Sequence, residues 1–295
     1  MRVLMFIFIL LVVLIFIALV FVWLVLAPED RKLLVTPQKT VQVNGVERSY
    51  RVINSSRDEP KPLVIGLHGY RDRSWWLSAY SGLHNLAAKE DFTLALPDGK
   101  RQSWNGVFCC GWSYVNNVED IAFIRTMIEE IARDTSIDEN RIYVVGFSNG
   151  GILAQRLLAQ EPDLFAAGAS VMSGVGDKDN TLDIADAKAP LLLVNGKTDQ
   201  YVPLEQTRDD VDGFNFLPAL ETADIWAEQY ELEERQKTEK HEYDEYTWAT
   251  DTEDKLQLRV YEAGHRWPEW RLWDFPNKAP ESTRDVWRFL SQHRK

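Results

Sequence analysis

Residues 146–150 read Gly-Phe-Ser-Asn-Gly, the spacing G-x-S-x-G. A serine held between two glycines at a sharp turn can present its hydroxyl as a nucleophile. That hydroxyl is weak alone: it needs a base in hydrogen-bond reach, and the base needs a carboxylate to orient it. The chain has five histidines. His68 precedes Gly69 in an early turn, His84 falls in a helical stretch, His241 lies in a charged run and His293 in the C-terminal tail. His265 alone follows the last strand-like run, after the serine and near the chain end. Asp199 lies in the turn after the apolar run 189–196, whereas Asp183, Asp186, Asp251 and Asp254 precede strand-like runs. The expected catalytic set is therefore Ser148, Asp199 and His265. The plainer alternatives are a helix-capping serine, a turn aspartate and a structural loop histidine.

Acyl transfer also puts negative charge on the carbonyl oxygen, which calls for two donors aimed at it. The backbone N–H of Asn149, directly after the serine, is one candidate. The other is that of Tyr70, in the loop closing "VIGLHGY". The chain holds 11 Trp, 10 Tyr and 13 Phe. Of the loop aromatics, Trp104 and Trp267 are expected beside substrate. Cys109 and Cys110 are the only cysteines. They are either two small buried residues or a vicinal disulfide made in an oxidising compartment. The sequence offers no glycine-rich phosphate loop and no metal-ligand spacing, so neither cofactor nor metal is expected.

These residues need elements to place them. Residues 40–54 alternate about Asn44-Gly45, a hairpin signal. Apolar runs at 62–69, 92–99, 141–147, 165–174, 189–196 and 256–264 read as strands. Helical spacing covers 75–90, 115–134, 149–162 and 281–292. Strands alternating with helices predict a mostly parallel central sheet covered on both faces. Ser148 falls at a strand-to-helix junction, and the order serine, aspartate, histidine is that of the α/β-hydrolase fold. A net charge of −12 without a basic patch argues against a nucleic-acid partner.

The N-terminus is a separate object. Residues 3–27 carry no charge across 25 positions, about 37 Å as helix, enough to span a hydrocarbon core of roughly 30 Å. Pro28 directly after Ala27 suits signal cleavage poorly. The expectation is an uncleaved transmembrane signal anchor, residues 1–32 with a short linker, ahead of a catalytic domain at 33–295. A cleaved signal peptide is the alternative. Arg2 on one side and Arg31 with Lys32 on the other leave the positive-inside count nearly balanced.

The segments "LHGY", "PDGKRQSWNGVFCCGW", "VEDIAFIRTMIEEI", "DENRIYVVGFSNGGILAQRLL", "NGKTDQYVP" and "GHRWP" follow in order. Over about residues 40 to 292 they resemble the polyhydroxybutyrate depolymerase and feruloyl esterase group of α/β-hydrolases. The resemblance implies an exported serine esterase with Ser148, Asp199 and His265 as triad. It places the domain outside the cytoplasm and implies hydroxyalkanoate, feruloyl or acetyl esters as substrates. Two features depart from the group: the anchor-like N-terminus, and a long acidic insertion at about 204–255. A serine peptidase on the same fold, and a non-catalytic binding protein, are the competing readings.

Overall fold

The computed structural model describes residues 8, 9, 11–14, 28–176, 182–205, 216–248, 255–270 and 279–295. Residues 8, 9 and 11–14 are helical. The remainder of the expected anchor, 3–27, lies outside the described residues. Among the described residues no helix is long and apolar enough to cross a membrane.

Helix α1 (Pro28–Val35) comes before the hairpin β1 (Lys39–Val43) and β2 (Val46–Ile53), which turns at Asn44-Gly45. Next come β3 (Lys61–Leu67), α2 (Ser74–Ser81), α3 (Leu83–Glu90) and β4 (Thr93–Pro97). A short helix α4 (Gly111–Val115) leads to α5 (Asp120–Asp134), β5 (Ile137–Phe147) and α6 (Asn149–Gln160). Then follow β6 (Ala167–Val171), β7 (Leu191–Gly196), α7 (Ala219–Gln229), β8 (Arg235–Glu239), β9 (Tyr243–Trp248), β10 (Leu256–Tyr261) and α8 (Glu281–Ser291).

All ten strands form one sheet in the order β1-β2-β4-β3-β5-β6-β7-β10-β9-β8. The stretch from β4 to β10 is parallel, and β1, β2, β8 and β9 pair antiparallel at the two ends. The inner strands are buried on both faces, which is why their sequences are continuous apolar runs rather than alternations. Successive residues still point to opposite faces. Leu63, Ile65 and Leu67 join the core under α5, α6 and α7, while Val64, Tyr143 and Val145 join the core under α1, α2, α3 and α8.

Two local readings change. The helical stretch 75–90 divides into α2 and α3 at Gly82, whose φ of 68° is the left-handed turn that ends one helix and starts the next. The acidic insertion is in part regular structure: α7 packs on the sheet, and β8 and β9 extend it beyond β10. Strand β8 is exposed along its whole length and forms that edge of the sheet.

Residues 28–32, read from sequence as linker, are docked. Asp30 is buried, and the Nε2–H of buried His84 in α3 donates to its Oδ1 at 2.7 Å, while Leu33 enters the core. The packed core thus takes in Asp30 and Leu33 of α1.

Candidate active site

The parallel strands end on one side of the sheet, and the loops leaving them carry the expected groups. Strand β5 runs into α6 through Ser148, which has φ 52° and ψ −120°. A non-glycine residue holds this conformation only where its surroundings impose it. Here the Ser148 N–H donates to Val171 O at 2.8 Å, and the N–H of Gly151 donates to Ser148 O at 2.7 Å. The glycines make the close approach possible. A Cβ on Gly146 would lie 2.0 Å from Gly150 O, and one on Gly150 would lie 2.2 Å from Leu67 O.

The structure brings Ser148, His265 and Asp199 into one hydrogen-bonded line. Ser148 Oγ–H donates to His265 Nε2 at 2.8 Å, and His265 Nδ1–H donates to Asp199 Oδ2 at 2.8 Å. The carboxylate is buried, and its other oxygen accepts the N–H groups of Tyr201 at 2.8 Å and Val202 at 3.1 Å. Asp199 therefore has no freedom to turn away, and it fixes the tautomer that leaves Nε2 ready to accept a proton. Tyr201 stands edge-on to the imidazole with ring centroids 4.8 Å apart, and Phe147 packs 5.5 Å away on a tilted plane.

The candidate oxyanion donors flank this line. Asn149 opens α6, so its N–H is one of those that a helix leaves without an internal partner. Gly69 lies against Phe147 and Ser148, which brings the loop of Tyr70 beside the serine. That loop is pinned from below by His68, which is buried. Its Nδ1–H donates to Gly69 O at 2.7 Å, and its Nε2 accepts the Gly99 N–H at 2.9 Å. Burial holds its pKa down to about 4, so the ring is neutral.

Trp104 requires a correction. It is fully buried: its indole N–H donates to His68 O at 2.8 Å and its ring lies 5.0 Å from the His68 ring. A side chain sealed beneath the oxyanion loop is a floor, not a substrate contact. Its backbone is clamped by the Asn149 side chain, whose Oδ1 accepts the Trp104 N–H at 2.7 Å and whose Nδ2 donates to Trp104 O at 3.0 Å. This second use of Asn149 was not readable from the motif, where only its backbone matters. Trp267 is also largely buried, with its indole N–H donating to Thr283 Oγ1 at 2.9 Å, but it lines a cavity beside His265.

Cys109 and Cys110 are joined as a vicinal disulfide across a cis peptide bond, and Cys110 lines the cavity above Ser148. That cavity measures about 180 Å³ and includes Tyr70, Phe147, Tyr201 and Phe216. Phe216 belongs to the acidic insertion and bridges to Gly176, so the insertion reaches the site. Nothing in its composition signalled this. Among the described residues, no group of three His, Cys, Asp or Glu could hold a metal ion.

Known proteins similar to this chain include several esterases. By sequence, the chain is 28% identical over 188 residues to NocK of Nocardia uniformis subsp. tsuyamanensis, by name an esterase, covering 62% of this chain and 52% of the relative. It is 30% identical over 116 residues to feruloyl esterase B of Piromyces equi, covering 38% and 21%. It is 26% identical over 134 residues to poly(3-hydroxyalkanoate) depolymerase C of Paucimonas lemoignei, covering 44% and 32%. In structure, acetyl xylan esterase from Aspergillus awamori superposes with a TM-score of 0.57 at 16% identity, over 79% of this chain and 95% of the other. The chain is thus similar in sequence to esterases, and the structural likeness shows the α/β-hydrolase fold. The model of the prolyl oligopeptidase family also matches residues 112–184, which include the strand, Ser148 and α6 but neither Asp199 nor His265. The chain spans about half the length of NocK and a smaller share of the other two curated relatives.

Proposed function

We propose that this α/β-hydrolase is a serine-dependent carboxylic ester hydrolase. The observation that carries the reading is the relay Ser148–His265–Asp199, with 2.8 Å at each step. Ser148 Oγ attacks the ester carbonyl as His265 Nε2 takes its proton. Charge on the carbonyl oxygen is met by the N–H groups of Asn149 and Tyr70. The imidazolium then protonates the leaving alkoxy oxygen, and the acyl group stays on Ser148. Water, deprotonated by the same nitrogen, releases the acid and restores the serine. Esters of hydroxyalkanoates and feruloyl or acetyl esters of polysaccharide are the substrate classes that the relatives' names support.

Residues 3–27 serve as a membrane anchor in this reading, with the catalytic domain outside the cytoplasm. Their length and lack of charge support it, and the oxidised cysteine pair is consistent with it. Protease added to sealed spheroplasts should degrade the domain; protection would place it in the cytoplasm.

The activity is tested with purified full-length protein against p-nitrophenyl acyl esters, hydroxybutyrate oligomers, methyl ferulate and acetylated xylan. Turnover that Ser148→Ala abolishes supports the proposal. A peptidase is the second reading, favoured by the match over 112–184. Aminoacyl-p-nitroanilide turnover exceeding that of every ester would select it.

A further inference from the structure

Two cavities share His265, Phe147 and Asp72 in their linings. The 180 Å³ cavity holds Ser148 as well, whereas a second cavity of about 320 Å³ contains His265 without Ser148. In the tetrahedral adduct the acyl carbon is bonded to Ser148 Oγ. When the adduct collapses, the bond from that carbon to the alkoxy oxygen breaks, and the proton on His265 Nε2 passes to that oxygen. The departing oxygen must therefore lie within reach of Nε2, on the histidine side of the adduct, and the alcohol it carries extends past the imidazole. The acyl group stays in the smaller cavity.

The two sides differ in chemistry. The smaller one is lined by Tyr201 and Phe216 beside the shared Phe147, and its size suits a short acyl chain. The larger one is walled by Trp76, Tyr80, Trp267 and Trp270. Tyr80 meets the three indoles with ring centroids at 6.2 to 6.5 Å, a rigid aromatic trough for the flat face of a ring. At its rim stand Arg71 and Arg266, both exposed, and neither forms an ion pair among the described residues. Each is the next residue after part of the proposed machinery, Tyr70 in one loop and His265 in the other. Two guanidinium groups from separate loops thus line one aromatic trough in a chain of net charge −12, a lining that suits an anion; Arg71 also lies over the Tyr70 ring, 5.1 Å from its centroid. Asp72 is the one carboxylate in the lining. It is already engaged, accepting the Arg73 N–H at 2.6 Å and the Tyr80 hydroxyl at 3.0 Å.

We propose that the larger cavity binds the alcohol part of the ester, and that this alcohol is a ring bearing a carboxylate, esterified by a short acyl group. The inference rests on the esterase reading above. An aromatic hydroxy acid and an acidic sugar share this chemistry, and the test separates them.

Full-length protein is assayed on 3-acetoxybenzoate against 3-acetoxybenzamide, and on an acetylated methyl galacturonoside against the matching galactoside. Rates are normalised to uncatalysed hydrolysis. The acid should be preferred about tenfold or more in kcat/KM in one pair, and the stronger pair identifies the ring type. In Arg71→Gln and Arg266→Gln that ratio should fall toward one, mainly through KM. Because the ratio is taken within each variant, general damage to the site cancels. Binding of 3-hydroxybenzoate and galacturonate to Ser148→Ala is measured by calorimetry, with and without the arginine substitutions. Ester turnover with acid-to-neutral ratios near one in both pairs, or ratios unmoved by both substitutions, overturns the inference and leaves the esterase reading standing. Arginine-dependent binding of an acid without turnover of any ester overturns the esterase reading and keeps the anion site. Neither turnover nor binding removes both.

Discussion

Lowering the pH should destabilise this protein through His68, and by an amount the structure sets. The ring is buried between Trp104 and the backbone, and it is neutral in the fold because burial drives its pKa from the ordinary 6.5 to about 4. Its Nε2 faces the Gly99 N–H, so a proton there would set donor against donor. Below pH 6.5 the unfolded chain takes up a proton that the folded chain refuses. Stability from this group is whole above 6.5 and is lost as pH falls toward 4. Each pH unit costs about 1.4 kcal/mol per proton, so the loss approaches about 3 kcal/mol at pH 4. His68→Gln provides the control, since an amide keeps one donor for Gly69 O and one acceptor for the Gly99 N–H. Urea unfolding followed by tryptophan fluorescence, from pH 7.5 to 4, should give a steeper decline for wild type than for the variant. The gap between the two slopes should integrate to about 3 kcal/mol. Stability curves parallel within about 0.5 kcal/mol, or a His68 proton resonance titrating near 6.5, would refute the reasoning.

Ser148→Ala should lower kcat by more than about 10³-fold with the melting temperature nearly unchanged, and retention of a tenth of the activity would remove the serine from the mechanism. Gly150→Ala should disorganise the elbow, because its Cβ would sit 2.2 Å from Leu67 O and 2.5 Å from His68 O. Wild-type kcat and melting temperature in that variant would mean the elbow is looser than described. Asp30→Ala strips buried His84 of its carboxylate and should cost on the order of 3 kcal/mol, with Asp30→Asn milder; calorimetry showing no drop would mean α1 is not docked. Asn149→Ala leaves the Trp104 N–H buried without its acceptor and should cost about 2 kcal/mol with a fall in kcat, whereas unchanged kinetics would free the loop from any part in the reaction.

The site was more legible in the sequence than the frame around it. Ser148 betrayed itself because a tight elbow demands small residues at fixed spacing, and that demand is local. Asp199 and His265 were found by chain order, since each follows a strand on the same side of the sheet. Strand β8 was invisible: Arg-Gln-Lys-Thr-Glu has no apolar face, and it is a strand only because β9 pairs with it. Trp104 and Trp267 were alike as letters in loops. Whether an indole becomes floor or wall depends on contacts with His68 and Thr283, far away in sequence. The break at Gly82 could have been read, because a glycine within a helical stretch is a stop signal.

The outer edge formed by β8 decides how this molecule behaves at high concentration. Among the described residues β8 pairs with β9 alone, so this end of the ten-stranded sheet offers its unpaired backbone groups to a neighbouring copy. The side chains along that end are Arg235, Gln236, Lys237, Thr238 and Glu239, all exposed. A second copy approaching antiparallel and centred on this strand would place Lys237 against Lys237 at the middle of the new ladder, but Arg235 against Glu239 at each end. Shifting the partner by two residues pairs Arg235 or Glu239 with Lys237, but it leaves fewer hydrogen bonds to hold the pair. The same charges that hid the strand from the sequence thus make any continuation of one molecule's sheet into the next depend on register and on salt.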